Sequence, residues 1–492
     1  MPNPDFHTVI VGAGFSGIGA GILLDRVDLG DYLILEAGAE PGGTWYWNTY
    51  PGVAVDIPSF SYQFSFEQSP NWSRTYAKGH ELKAYAEHCV DKYRLRDRIR
   101  FGTQVTGAQY DDAAELWRVH TDTGVITARF LINGSGVLTV PKAPDIDGVG
   151  DFAGITMHTA RWDDGVELSG KRVAIIGTGA SAVQVVPEIA PIVQGLTVFQ
   201  RTPIWCFPKF DLPLPAAARW AMRIPGGKTV QRLVSQAYVE LTFPISAQYY
   251  GVIPLADRAE QLGKAYLNRE VRDPVLRDKL TPRYAVGCKR PGFHNSYLST
   301  YNRENVTLVT ESIDRITPGG VLTTDGAHHE VDVLILATGF KVMDVDSVPT
   351  FPVTGAGGQS LREFWSTRRL QAYEGVSIPG FPNFFTVMGP YGYVGSSYFA
   401  LIEAQVHHIA RCLQRAEKLG AHRVEVSQEA NDRYFDEMMR KRHRQIFWQD
   451  SCSQANSYYF DQNGDVPLRP ATTVEAYWRS RRFDLDDYRF SA

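Results

Sequence analysis

The chain has 492 residues, 44% of them hydrophobic and 21% charged, with a formal net charge of −4. That length predicts two or three domains, and the mixture is that of an ordinary globular enzyme. The slight acidity excludes the basic excess that a nucleic-acid partner requires.

In chain order, MPNPDF runs straight into HTVIVGAG with neither a basic n-region nor a cleavage site, so a cytoplasmic protein is expected. An apolar strand at Val9 to Val11 leads into Gly12-x-Gly14-x-x-Gly17, with Phe15 and Ser16 inside the loop. A helical stretch and a second strand, YLILE, follow and end on Glu36. The glycines allow a tight turn, close approach to a pyrophosphate and close helix–strand packing, and an acid at the second strand end suits a ribose diol. Free N–H groups at the helix start would face the phosphates.

Next comes GGTWYWNTYPGVAVD, Gly42 to Asp56, with four aromatic rings in six residues and a lone terminal carboxylate. Exposing so much aromatic surface to water is unfavourable, so this loop is expected to lie against a partner. LINGSGVL (Leu131 to Leu138) reads as a strand before the linker FAGITMHTARWD (Phe152 to Asp163).

The glycine pattern recurs in KRVAIIGTGASAVQVVPEIAPIVQGLTVFQR, residues 171–201, as Gly177-Thr178-Gly179-Ala180-Ser181-Ala182-Val183. Gly12 to Glu36 and Gly177 to Arg201 both span 24 positions, but the last residue has changed sign. A guanidinium there suits a 2′-phosphate. The first unit should therefore hold FAD and the second NADP(H), which implies electron transfer between them.

Residues 211–285 read as a helical insert, a lid or substrate-channel element. Its most apolar part, Leu233 to Ala256, is broken by Glu240, two Gln and two Pro, so no integral membrane span is expected. Peripheral contact through an apolar face stays open. VDVLILATGF (Val331 to Phe340) reads as a strand returning to the first nucleotide domain, paired with Leu131 to Leu138. A later helix is expected from about Ser396, where a serine cap needs no ligand. The runs Arg440 to Arg444 and Trp478 to Arg482 read as solvated surface. The five cysteines, Cys89, Cys206, Cys288, Cys412 and Cys452, are widely spaced without a CxxC pair. Neither a disulfide framework nor a thiol redox centre is expected, and no metal site is suggested.

The linker reads Phe152-x-Gly154-x-x-x-His158-x-x-x-Trp162-Asp163, and the opening loop reads Gly43-x-Trp45, then Tyr50-Pro51-Gly52 and Asp56. On these two fingerprints and the doubled glycine motif the chain resembles the Baeyer–Villiger monooxygenases of the class B flavoprotein monooxygenases. Flavin-containing monooxygenases, which oxidise sulfur and nitrogen, share the dinucleotide motifs but typically lack the Trp-Asp ending. A sulfide or amine oxygenase is the alternative, and an idle dinucleotide-binding sensor a more distant one.

The resemblance implies that NADPH reduces FAD, that O2 adds at flavin C4a, and that the peroxide attacks a ketone to give an ester or lactone. It implies an α/β fold of two Rossmann-like domains with a helical insert. FAD would be held by residues 1–145 and 331–492, the latter with the C-terminal substrate-side region, and NADPH by 146–210 and 286–330. Within Val286 to Asn302 the resemblance assigns Arg290 to the peroxide and Lys289, with Arg201 and Thr202, to the 2′-phosphate. Asp56 becomes the acid paired with Arg290. Thr44, Trp45 and Tyr62 would line the flavin, Val105 would touch its adenine, and His158 would be structural. Many relatives carry Arg-Cys before the acid, where this chain has Ala54-Val55.

Overall fold

Val9, Ile10, Leu33, Ile34, Leu131 and Ile132 are all buried, so their strands are apolar at successive positions instead of alternating. That is the pattern of parallel strands covered on both faces. The structure, a computed structural model, describes residues 3–252, 255–342 and 344–492. Phe6–Val11 lies between Tyr32–Leu35 and Gly124–Asn133, parallel to both. The eight-stranded sheet is completed by Ile99–Arg100 at one edge and by the antiparallel strands Val105–Asp111 and Leu116–Thr121 towards the other. Val353–Thr354 and Phe384–Thr386 join it from late in the chain.

The helices Phe15–Asp25 and Tyr398–Leu419 pack together in the same core. A Cβ on Gly19 would come 2.9 Å from the Phe64 ring and 3.0 Å from Ile402. Behind the sheet sits a second cluster around Trp117, Trp365 and Phe384, with the Trp117 indole donating to the Pro382 carbonyl.

The second nucleotide unit is a five-stranded parallel sheet in the order Val306–Val309, Gly195–Phe199, Arg172–Ile176, Val333–Leu336, Ile155–His158. Helices Ala216–Ala221, Gly227–Glu240, Leu255–Glu270 and Pro274–Leu280 form most of the insert.

Several expectations change. Val333–Leu336 pairs with Arg172–Ile176 and Ile155–His158, not with Leu131 to Leu138, so a boundary at residue 331 cuts through the second sheet. The chain re-enters the first sheet only at Val353; an apolar strand does not say which of two parallel sheets it joins. The linker is likewise the edge strand of that second sheet. The late helix starts at Tyr398, and its N-cap Ser397 makes no cap bond because its hydroxyl donates to the Ser61 carbonyl.

Cys288 and Cys452, 164 positions apart, form a disulfide between Cα atoms 5.1 Å apart. No spacing rule reveals such a pair, since the fold alone brings the two segments together. Cys89, Cys206 and Cys412 are free and buried.

A Cβ at Gly17 would lie 1.8 Å from the Gly12 carbonyl oxygen, backbone against backbone. Gly17→Ala is therefore expected to lower the thermal midpoint by roughly 5 °C or more. Gly195→Ala, where a Cβ meets nothing within 4 Å, should stay within about 2 °C of the parent by the same melt.

Candidate functional site

The two glycine loops lie where their parallel strands end, the usual position of a ligand crevice in such sheets. Gly12 has φ +95°, and a Cβ on it would meet the Gly134 oxygen at 2.8 Å. Gly14 is different: its nearest neighbour would be the Gly43 Cα at 3.5 Å, which leaves a shallow cradle over the helix start. The helix Phe15–Asp25 has Gly14 as N-cap and no side-chain cap, so its first-turn N–H groups at Phe15, Ser16 and Gly17 are available to an anion. The Phe15 ring itself is core, 4.5 Å from Phe399 and edge-on to Tyr62 and Phe64.

Glu36 is 5% exposed. Its Oε2 accepts from the Ala13 N–H at 2.6 Å and its Oε1 from the Gly38 N–H at 2.7 Å. Burial raises its pKa while these two N–H groups lower it. Each oxygen keeps a lone pair, which fits a ribose diol. Val105 begins its strand two residues after Thr103, whose N–H donates to the Glu36 carbonyl.

The second loop repeats the arrangement. Gly177 has φ +115° and its Cβ would strike the Ala337 oxygen at 2.4 Å, whereas a Cβ on Gly179 meets nothing within 4 Å. Helix Ala180–Ile189 starts uncapped at Ala180, Ser181 and Ala182, and the Val183 N–H closes the turn on the Gly179 oxygen. The Thr178 hydroxyl donates to the Thr202 carbonyl at 2.9 Å. Burial and the charge of Arg201 hold the Lys289 ammonium down at about 8. Neither cation forms an ion pair among the described residues, and two unneutralised cations side by side fit a phosphate.

Between the loops, Arg290 grips Asp56 through two bonds, Nε to Oδ2 at 2.5 Å and Nη2 to Oδ1 at 2.8 Å. Burial alone would raise the Asp56 pKa and lower that of Arg290; the mutual attraction outweighs it, so Asp56 is held low and Arg290 high. The side chains remain 19% (Arg290) and 29% (Asp56) exposed, so one edge of the guanidinium stays open.

The Phe243 ring centroid lies 5.7 Å from that guanidinium, and Tyr459 lies 6.2 Å from Phe243. Tyr393 packs on Tyr398 at 5.0 Å. Burial pushes the Tyr62, Tyr393 and Tyr398 phenols up, against the charge of Arg290, so they stay neutral donors.

The aromatic loop is ordered from several sides. Thr44–Trp47 forms one helical turn of half-buried residues. The Trp45 indole donates to the Tyr62 hydroxyl at 3.3 Å, and Arg161 of the linker stacks 4.4 Å over Trp47. Gln184, on the helix of the second unit, binds Ala54 twice: its Oε1 accepts the Ala54 N–H and its Nε2 donates to the Ala54 carbonyl. The Tyr50 hydroxyl reaches the same Gln184 at 3.3 Å. His158 accepts the Ala160 N–H at Nδ1 and shares a bond with the Thr338 hydroxyl at Nε2, away from Asp56 and Arg290.

The structure thus gathers the expected residues in three places. Gly12 to Gly17, Glu36 and Val105 lie along one crevice, Gly177 to Val183, Arg201, Thr202 and Lys289 along the other. Thr44, Trp45, Asp56, Tyr62 and Arg290 stand at the junction. Residues not foreseen individually are Phe243, Tyr393, Tyr459, Gln184 and Lys209. Lys209, 4.9 Å over the Tyr76 ring, has its pKa lowered by burial against the pull of Asp211 and Asp56. The tyrosine-rich PYGYVGSSY and SYYFD stretches were the available signal. No group of metal-binding side chains occurs among the described residues.

A family profile described as pyridine nucleotide-disulphide oxidoreductase matches residues 9–212. Those residues contain only Cys89 and Cys206, both free, so the match reflects the nucleotide units and not disulfide chemistry. A Baeyer-Villiger monooxygenase of Streptomyces coelicolor is 35% identical over 98% of this chain and 92% of its own length. One from Pseudomonas aeruginosa is 35% identical over 97% and 90%. A crystal structure of OTEMO in complex with FAD and NADP superimposes with a TM-score of 0.89 at 28% identity, covering all of both chains. An oxidized steroid monooxygenase bound to NADP gives 0.87 at 31%, covering 99% and 100%.

Lys289 is charged below about pH 8 and loses its proton above it. NADPH affinity, read by fluorescence titration from pH 7 to 9.5, is therefore expected to weaken as pH rises through 8. Lys289→Met should weaken it about tenfold at pH 7 and flatten the profile. Gly179→Ala should fold normally yet also bind NADPH less tightly, because its Cβ fills the open cradle.

Proposed function

The chain belongs to the Baeyer–Villiger monooxygenases, and from that premise we propose that Asp56 and Arg290 form its oxygenating centre, with a ketone as substrate. It is an NADPH-dependent flavoprotein monooxygenase with FAD and NADP(H) as cofactors. Bound FAD, reduced by NADPH, supplies the activation of O2 that no side chain here can provide. The first crevice, with Gly14, the helix start and Glu36, suits FAD; the second, with Gly179, Arg201, Thr202 and Lys289, suits NADP(H).

The bidentate Asp56–Arg290 pair is the observation that carries the assignment. Asp56 fixes the guanidinium plane and keeps a cation in a partly dry site from standing alone. The guanidinium hydrogens not given to Asp56 remain for negative charge developing at the reacting oxygen atoms. The neutral phenols of Tyr62, Tyr393 and Tyr398 add bulk that keeps water away without adding a competing charge. Phe243 and Tyr459 favour an apolar ketone next to that cation. The solved relatives include a cyclohexanone monooxygenase and a steroid monooxygenase, so cyclic and steroidal ketones lead the panel to be tested, followed by linear and aromatic ones. A cytoplasmic setting suits a consumer of NADPH, and no helix among the described residues is long and apolar enough to cross a membrane.

The FAD-loaded protein is expected to convert at least one ketone of the panel to an ester or lactone with NADPH consumption, followed by gas chromatography. Arg290→Ala should lower ester formation by about a hundredfold or more while NADPH oxidation continues. Undiminished ester from Arg290→Ala would remove the role given to that residue. Arg201→Ala should narrow the preference for NADPH over NADH.

A further inference from the structure

The insert helix Gly227–Glu240 is amphipathic in the reverse sense for a globular protein. Towards the protein it turns Val239, which is buried, and a row of polar groups: the Ser235 hydroxyl donates to Ser61, Gln236 donates to the Ser396 hydroxyl, and Arg232 donates to the Gln63 carbonyl. Towards solvent it turns Val230, Leu233 and Val234, exposed by 62%, 65% and 62%, with Leu241, the residue after its end, exposed by 53%. Positions 230, 233, 234, 237 and 241 share one stripe roughly 100° wide. The preceding short helix Ala216–Ala221 adds Trp220, exposed by 66%, and Ile224 follows at 47%.

Charge says what covers this face. Between Asp211 and Glu240 the sequence contains Arg219, Arg223, Lys228 and Arg232 and no acid, in a chain whose net charge is −4. None of the four is in an ion pair among the described residues. The exposed Arg223 and Lys228 donate only to neutral oxygens, Asn71 Oδ1 and the Gln68 carbonyl. An apolar stripe, an exposed tryptophan and unneutralised cations on one segment are the features of a helix lying in a membrane interface.

We propose that the Ala216–Leu241 segment docks the enzyme peripherally on an anionic phospholipid bilayer, with the stripe in the headgroup region and the exposed Arg223 and Lys228 on lipid phosphates. The same helical run continues into Leu241–Ile245 and delivers Phe243 to Arg290. Docking therefore places the substrate end of the site beside the phase in which an apolar ketone concentrates. The docking stands without the oxygenation chemistry; only this benefit rests on it.

The test is flotation of the FAD-loaded protein with vesicles of phosphatidylglycerol and phosphatidylcholine, against phosphatidylcholine alone, at low and high salt. Binding is expected on the anionic vesicles, weakened by salt and much weaker on phosphatidylcholine. Leu233→Ser with Val234→Ser, and separately Arg223→Glu with Lys228→Glu, should each reduce bound protein at least about tenfold, with flavin absorbance and NADPH oxidation in solution unchanged. Absence of wild-type binding, or binding that neither double variant reduces, would overturn the proposal. So would a dimer, seen by sedimentation velocity, that the serine variant dissociates without any vesicle binding. That outcome assigns the face to a second copy.

Discussion

The ion pair between Asp56 and Arg290 is the contact on which the rest of the site depends. Its acid closes the aromatic loop of the first nucleotide unit, and its base belongs to a segment 234 positions later. Each side chain is mostly shielded from water, 19% exposed for Arg290 and 29% for Asp56, so removing one leaves the other without its counter-charge. The two-point geometry matters as much as the charge. A guanidinium held at Nε and Nη2 has one orientation, whereas a lysine ammonium at the same place would be a rotating point charge.

That orientation requires the loop to be held as firmly as the arginine, and the second unit does the holding. Gly52, at φ +81°, lets the chain pass so close to helix Ala180–Ile189 that a Cβ would meet the Gln184 oxygen at 2.8 Å. Gln184 then takes both backbone groups of Ala54, two residues before the acid. A side chain at 54 is not needed for this grip. The departure Ala54-Val55 is thus accommodated by backbone pairing, and Val55 is buried in the main core. The unusual density of rings before it has a physical account too. Trp45 meets Tyr62, Trp47 meets Arg161 of the linker, and Tyr46 lies beside Gly38, where a Cβ would be 2.7 Å from its ring.

What the sequence reveals and what it hides divide by range. The glycine fingerprints, Glu36 and Arg201 are legible because each unit is one strand–helix–strand of consecutive residues whose backbone demands are local. Arg290 and Lys289 are legible only through family resemblance, since nothing in CKRPGF separates a site from a solvated loop. Long-range pairing is hidden. Val333–Leu336 could have joined either parallel sheet, and the disulfide of Cys288 with Cys452 has no signature in spacing. Lys209, just before the insert, and Phe243 within it were equally silent, as such residues declare themselves only when the fold turns them inward. The hydroxyl of Ser397 shows the same principle in reverse. A residue with the right chemistry for a cap is drawn off by a distant carbonyl at Ser61.

The order Cys288-Lys289-Arg290 sets a disulfide cysteine, a lysine with no ion pair among the described residues and the partner of Asp56 side by side. Consecutive Cα atoms are about 3.8 Å apart across a planar peptide, so a displacement of the backbone at Lys289 is felt at Arg290. Cys288 is bound to Cys452, which lies shortly before Tyr458 and Tyr459, so the segment that carries the cation is tied to the wall of aromatic side chains beyond it. The half-buried Lys289, which forms no ion pair among the described residues, supplies a reason for that tether. Burial and the charge of Arg201 hold its ammonium down at about 8. Fixing the residue before it steadies the backbone that carries both the lysine and the guanidinium paired with Asp56.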